Sequence, residues 1–185
     1  MLLSQWYPCR WTEFVRRRLV GPFRLDRAIA STLDFDFDFQ RVFRVLSGLP
    51  YHIAMTWVKT IANGWATSSR LNKDTISPCI FCHSPGCDQL LHYLGCDVFC
   101  KLLQDNSEAP LAFARGMISK LALDPCDILH IKFIFVSFTT YHSLHNIYFQ
   151  YMPALPQRWG TVAAKTVVTA ATKFESLLGS ARLCD

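Results

Sequence analysis

The sequence predicts a mainly α-helical protein with little or no sheet. Apolar residues recur at helical spacing over residues 51–65, and glycines or prolines punctuate the longer apolar segments. The composition is 51% hydrophobic and 18% charged, which indicates a chain that folds around a core and excludes a disordered protein. A length of 185 residues predicts one domain, or one domain with an appended subdomain.

Residues 1–50 are predicted to form a basic N-terminal region. Residues 1–30 favour one or two short basic amphipathic helices, broken at Gly21-Pro22. Residues 33–39 alternate between apolar and acidic side chains, which indicates an edge strand or an acidic-aromatic linker. Eight Arg against five acidic residues in this region are compatible with a nucleic-acid footprint. A solvated helix face beside core aromatics is the commoner cause of such a pattern.

Residues 51–150 are predicted to form a helical module. Its first helix begins at Tyr51, and one stripe of this helix is apolar: Ile53, Trp57, Ile61 and Trp65. The stripe is expected to face the core. The helix should end at residues 67–69, where hydroxyl side chains compete for backbone hydrogen bonds.

Further helices follow along the chain. They are predicted over residues 88–103, 110–123 and 127–149, after a loop at residues 78–86. Asp88 is expected to cap the first of these helices. Residues 151–185 are predicted to form a C-terminal helix over about residues 157–182, because small side chains there favour close packing.

The chain contains eight Cys, and their spacing favours metal binding over disulfides. Residues 1–20 lack the basic start, the apolar stretch and the cleavage site of a secretory signal peptide. In a chain without such a signal, Cys-x-x-Cys followed by His and Cys is typical of a metal site in a reducing compartment. An intracellular protein of the nucleus or cytoplasm, not a secreted one, is therefore expected.

Four side chains form the candidate metal site: Cys79, Cys82, His92 and Cys96. A tight turn can direct both sulfurs of the Cys-x-x-Cys pair toward one ion. The His and the last Cys are four residues apart, so a helix starting near Asp88 would place them on one face, one turn apart. A loop and a helix would thus supply two ligands each and close a tetrahedral zinc site. Cys87 and His83 remain alternative ligands.

The sequence favours a structural zinc ion and no enzymatic activity. A catalytic zinc needs an open coordination position, whereas four protein ligands fill the predicted site. No Glu flanks the ligands as in the zinc deaminases, and the sequence has no phosphate-binding loop or nucleophile elbow. Zinc is expected to organise residues 79–100, whereas residues 53–65 should keep a looser core without it.

The most apolar window, residues 128–149, is predicted to be a buried helix. A membrane span needs about 20 predominantly apolar residues. Lys132 and three His interrupt this window, so no membrane partner is expected.

Several segments resemble a known family. They are, in order, Val58-Lys59-Thr60, Asn63-Gly64-Trp65, Thr67-Ser-Ser-Arg70, Cys79-x-x-Cys82 and Asp88-x-Leu-Leu-His92-Tyr-Leu-x-Cys96. This order resembles the zinc-binding C-terminal tail that follows the polymerase in reverse transcriptases of non-LTR retrotransposons, especially the protist, dinoflagellate-type versions. Tyr141-His142 also resembles an aromatic-His pair of those tails. The resemblance covers about residues 40–150 and is most specific over residues 57–96.

The resemblance implies that the two Cys, the His and the last Cys bind the metal. It also implies that such a tail helps a polymerase to hold template RNA or target DNA. The chain has no polymerase region and no Tyr-x-Asp-Asp-like motif, so polymerase activity is not implied. The chain is therefore expected to be a retroelement remnant or fragment.

The sequence therefore predicts a structural zinc-binding module with weak RNA or DNA binding, and with a polymerase or another protein as a further partner. Weak binding is expected because residues 51–104 hold four basic and three acidic residues, a net charge of +1. The alternative is a zinc-stabilised protein-interaction module that uses the helix of residues 128–149 as its contact surface. Salt separates the two, because affinity from phosphate contacts falls steeply with salt.

Overall fold

The computed structural model describes residues 44–71, 74–107, 128–151 and 158–182. Its main helices are α1 (Tyr51–Ile61), α2 (Leu90–Gly95), α3 (Asp97–Ser107), α4 (Ile128–Tyr151) and α5 (Trp159–Arg182). All regular elements in these ranges are helical, so the predicted mainly α fold is confirmed. The predicted helices of residues 1–30 and 110–123 and the alternating segment of residues 33–39 lie outside the described residues.

Helix α4 is the central element of the described core. It packs against α1, α3 and α5, and α3 also packs against α5. Its buried side chains are Ile131, Phe133, Ile134, Phe135, Val136, Ser137, Thr140, Tyr141, Leu144 and Tyr148. Each large apolar side chain buried in this way contributes about 1.5–3 kcal/mol. The prediction of a buried helix over residues 128–149 is therefore confirmed.

No helix within the described ranges has the length and apolar character needed to cross a membrane.

Helix α1 ends earlier than the apolar stripe predicts. Asn63 adopts φ 52°, and its amide donates to the Thr60 carbonyl at 3.0 Å. The Gly64 amide then reaches back to the Lys59 carbonyl at 2.5 Å. This pair of bonds forms a Schellman motif, in which one left-handed residue terminates the helix. Trp65 is therefore placed in the core by a turn, and the expectation that it continues the helical stripe is wrong.

The predicted helix of residues 88–103 is two helices. Cys96 has extended backbone, with φ −72° and ψ 112°, which interrupts the chain between α2 and α3. The first bond of α3 runs from the Cys100 amide to the Cys96 carbonyl at 2.8 Å. Asp88 does not cap α2, because Gln89 occupies the N-cap and makes no side-chain bond there. The Asp88 carboxylate has other partners, which are described below.

The last two helices agree with the sequence prediction to within a few residues. Helix α4 spans Ile128–Tyr151, and α5 spans Trp159–Arg182. The small and β-branched buried residues of α5 lie on one face, at Ala163, Val167 and Ala170, with Phe174 one turn further on. This spacing of three or four residues lets α5 pack closely on α4.

Candidate metal centre

The four predicted ligands meet in one cluster. One donor atom from each of Cys79, Cys82, His92 and Cys96 lies within 4.8 Å of every other. The Cys79 and Cys96 sulfurs are 4.0 Å apart, and Cys82 Sγ lies 3.2 Å from His92 Nε2. In a tetrahedral zinc site with bonds of about 2.0–2.3 Å, ligand atoms lie about 3.5–3.8 Å apart. The cluster therefore has the donor set and nearly the spacing of a Cys3His metal site.

The first two donors belong to a tight turn, residues 79–84, which we call the knuckle. The His83 amide donates to the Cys79 carbonyl, and the Cys79 amide donates to the Ser84 carbonyl, each at 3.0 Å. The turn also directs the amides of Phe81 and Cys82 at Cys79 Sγ, at 3.4 and 3.5 Å. Amide dipoles directed at a sulfur stabilise its thiolate form, which is the form that binds a metal.

The other two donors come from the end of α2 and the break that follows it. His92 lies on α2, and Cys96 is the residue at which the chain leaves that helix. The sequence predicts both on one continuous helix, one turn apart, and this prediction is wrong. The extended backbone at Cys96 brings its sulfur beside the sulfur of Cys79 instead.

The four donors differ in burial. The thiols of Cys79 and Cys96 are buried, whereas the side chains of Cys82 and His92 are half-buried. The pKa of Cys96 is lowered to about 5, mainly because its sulfur shares a hydrogen bond with the sulfur of Cys79. The pKa of Cys79 is raised, because of the same shared bond and because burial disfavours its thiolate. A metal cation in the position of the shared proton would stabilise both sulfurs as thiolates.

The two alternative ligands lie outside the cluster. Within the described residues, neither Cys87 nor His83 belongs to a group of three or more potential ligands. His83 instead turns toward α4, where its Nδ1 lies 3.0 Å from the Tyr148 hydroxyl. Cys87 packs half-buried against the hydrophobic core.

Asp88 is a buried residue whose role differs from the predicted helix cap. Its side chain is completely buried. It accepts bonds from the Ser68 amide at 2.6 Å, the Tyr93 hydroxyl at 2.7 Å and the Tyr141 hydroxyl at 3.2 Å. His145 Nε2 lies 3.7 Å from the second carboxylate oxygen.

The partners of Asp88 also govern its ionisation. Burial alone would raise the pKa of this carboxyl. The interaction with His145 and the bonds from Ser68 and Tyr93 outweigh burial and lower the pKa to about 2. The carboxylate is thus charged and fully paired. It joins the turn before the knuckle to α2 and to α4.

An aromatic stack connects Asp88 to α1. The Trp65 ring stacks on those of Tyr141 and Tyr93, with centroids 4.9 and 6.2 Å apart. The Trp65 indole N–H donates to Thr60 Oγ1 at 3.0 Å. The metal centre and α1 therefore share one core.

The aromatic-His pair of the resemblance, Tyr141 and His142, lies next to this stack and away from the four donors. Tyr141 donates toward Asp88 and toward the Ala66 carbonyl. His142 packs against Phe138 with ring centroids 4.1 Å apart. The pair therefore contributes to packing around Asp88. The only sequence signal of this role is that Asp88 lies two residues before the Leu90-Leu91-His92 segment.

A comparison of the chain with protein-family models, with curated proteins and with solved structures finds no match in any of the three.

Proposed function

We propose that this chain is a structural zinc-binding module, in which one zinc ion fastens the knuckle to α2 and α3. The cluster could hold a metal ion, since four soft or borderline donors lie within 4.8 Å of one another. Three thiolates and one imidazole are a usual donor set for structural zinc. This convergence of donors from the knuckle and from the end of α2 with the break that follows it is the observation that carries the proposal.

Two features support a structural role for the ion. All four tetrahedral positions have a protein donor, so no position is left for water or substrate. Asp88, the buried carboxylate near the site, already accepts bonds from one amide and two tyrosines. A carboxylate that is buried and already paired in this way is poorly suited to act as a general base.

Weak binding of RNA or DNA is the second part of the proposal. It rests on the resemblance to the tails of retrotransposon reverse transcriptases, together with one feature of the surface. Lys59 and Arg70 are exposed, and the positive charge of each lowers the pKa of His142, so both lie on the side of the module where His142 lies. A small patch of this kind supports contact with a few phosphates and a weak, salt-dependent affinity.

The alternative of a protein-interaction module based on residues 128–149 has less support. Most apolar side chains of α4 are buried against α1, α3 and α5. Among the α4 side chains that the structure describes, the exposed large apolar ones are Ile128 and Leu129, both in the first turn. A partner that used this helix as its main contact surface would have to displace part of the chain's own core.

Metal analysis of the purified full chain tests the central proposal. We expect one zinc per chain in the wild type and loss of zinc in the Cys96→Ala, His92→Ala double variant. Cys87→Ser is the matched control, because it removes a nearby thiol outside the cluster, and it should retain the metal. Full zinc content in the double variant would contradict the proposal.

Salt-dependent binding to single-stranded RNA tests the nucleic-acid part. We expect the affinity to fall between low and high salt, and we expect Lys59→Ala to bind more weakly than the wild type.

A further inference from the structure

The knuckle contacts two helices that lie far from it in sequence. His83 Nδ1 is 3.0 Å from the Tyr148 hydroxyl on α4, and the two rings stack with centroids 6.0 Å apart and an angle of 22°. On the other side, the Trp159 indole N–H of α5 donates to the Ile80 carbonyl at 2.9 Å. Tyr148 and Trp159 also pack edge to face on each other, at 5.1 Å. The end of α4 and the start of α5 thus both contact the knuckle, and they also contact each other.

The backbone of the knuckle indicates that the contact at His83 is specific. His83 has φ 60°, in the left-handed region that favours glycine. A glycine would fit this turn with less strain, as Gly86 does at φ 66° only three residues later. Histidine at this position supplies a ring that reaches Tyr148, which a glycine could not do.

The contact at Ile80 is equally demanding. The Ile80 side chain is completely buried, and Trp159 is 8% exposed. A buried carbonyl and a buried indole N–H each need a partner, and here each satisfies the other. If the knuckle moved away, both groups would lose that partner.

We propose that His83, Tyr148 and Trp159 are positioning residues of the metal centre, which couple metal binding at the knuckle to docking of the α4 and α5 ends. This inference rests on the proposed zinc site. Two zinc ligands lie in the knuckle, and the other two lie on α2 and at the break that follows it, so the site forms only when the knuckle is held beside them. Contacts that hold the knuckle in place reduce the ordering that metal binding must bring about.

The coupling is reciprocal. If the helix ends raise the affinity of the knuckle for metal, the metal raises the affinity of the knuckle for the helix ends by the same factor. Zinc binding should therefore increase the protection of amides at residues 145–151 and 159–163. These residues lie more than 45 positions after the last ligand, Cys96, along the chain.

A double-variant cycle on the full chain tests the proposal, with zinc affinity measured by competition with a chelator. Tyr148→Phe keeps the ring and removes the hydroxyl. In the wild-type background we expect it to weaken zinc binding about three- to tenfold, the factor that one net hydrogen bond supplies. In the His83→Gly background, which lacks the partner ring, Tyr148→Phe should change the affinity less than about twofold.

Equal weakening by Tyr148→Phe in both backgrounds, or no weakening in either, would overturn the coupling. Tyr51→Phe is the matched control, since Tyr51 is 71% exposed and its substitution should leave zinc affinity unchanged.

If Tyr148→Phe folds poorly, Trp159→Phe tests the second contact. It should weaken zinc binding while the cobalt-substituted protein keeps the absorption spectrum of a tetrahedral site, and an unchanged affinity would overturn the proposal. Absence of zinc from the wild type would instead refute the proposed site itself.

Discussion

Tyr93 donates a hydrogen bond of 2.7 Å to Oδ1 of Asp88, and both side chains are completely buried. Asp88 lies two residues before α2, and Tyr93 follows the candidate ligand His92. The bond therefore fixes the helix that carries one metal donor to the turn at Ser68, whose amide bonds the same carboxylate. The buried charge of Asp88 thus helps to position His92, although Asp88 does not belong to the cluster of four donors.

Asp88→Asn should lower the free energy of unfolding by about 2–3 kcal/mol at neutral pH. The amide keeps the shape of the side chain but removes the charge, and it directs an NH2 group at donors. Urea denaturation at saturating zinc measures this change. Asp105→Asn, on the exposed face of α3, is the control and should change stability by less than about 0.5 kcal/mol. Wild-type stability in Asp88→Asn would show that the carboxylate is not an anchor.

Gly64→Ala should destabilise the fold by about 2–4 kcal/mol. A Cβ at residue 64 would lie 2.8 Å from the Lys59 carbonyl oxygen and 3.2 Å from its Cα, and this backbone cannot move without opening the end of α1. Gly160→Ala is the opposite case, since a Cβ there meets nothing within 4 Å. It should stabilise α5 by about 0.5–1 kcal/mol. Thermal melts of the two variants should therefore shift in opposite directions.

His142 should make stability depend on pH. Burial, together with the positive charges of His145, Lys59 and Arg70, lowers the pKa of His142 from 6.5 to about 4. Between these pH values the unfolded chain binds a proton that the native chain does not. Acidification through this window therefore destabilises the native state, by up to about 2–3 kcal/mol.

His142→Phe keeps the ring packing against Phe138 and removes the titrating group. The stability of the wild type relative to this variant should fall as the pH decreases from about 6.5 to 4. At neutral pH the variant should be as stable as the wild type or more so, because His142 Nε2 is buried without a hydrogen-bond partner. Both proteins carry the same metal ligands, so the difference cancels the effect of acid on metal binding. A difference that does not vary with pH would contradict this prediction.

Removal of the metal should affect the described chain unevenly. Chelation should abolish amide hydrogen-exchange protection over residues 79–100, where the donors converge. Most of α1 should remain protected, because Ile53 and Trp57 belong to the part of the core that packs on α4. Protection should weaken at Trp65, whose ring stacks on Tyr93 beside the site. Full protection of residues 79–100 after chelation would show that no metal organises this segment.

Three helices could be predicted from the sequence, each from a different signal. The apolar stripe of residues 51–65 predicts α1, the high apolar content of residues 128–149 predicts a buried α4, and the small side chains of residues 157–182 predict α5. The four donors could also be predicted. Cys-x-x-Cys is a local turn motif, and the spacing of His-x-x-x-Cys keeps its two donors close whether the backbone at Cys96 is helical or extended.

Two errors in the helix bounds lie where a single residue leaves the helical conformation. Asn63 ends α1 with a left-handed φ, and Cys96 divides one predicted helix into two with extended backbone. Neither residue type forces such a conformation, so periodicity gives no warning of it. The role of Asp88 was missed for a different reason. An Asp before a helix usually caps it, whereas here its partners Tyr141 and His145 lie more than 50 residues away in sequence.

X-ray absorption spectroscopy of the zinc-loaded chain tests the central claim most directly, because it counts the atoms bound to the metal. A site formed by Cys79, Cys82, His92 and Cys96 should give three sulfurs at about 2.3 Å and one nitrogen at about 2.0–2.1 Å. The His92→Cys variant should give four sulfurs if it retains the metal. Four sulfurs in the wild type would indicate that Cys87 replaces His92. A shell made mainly of oxygen and nitrogen would show that zinc binds elsewhere, and would contradict the account.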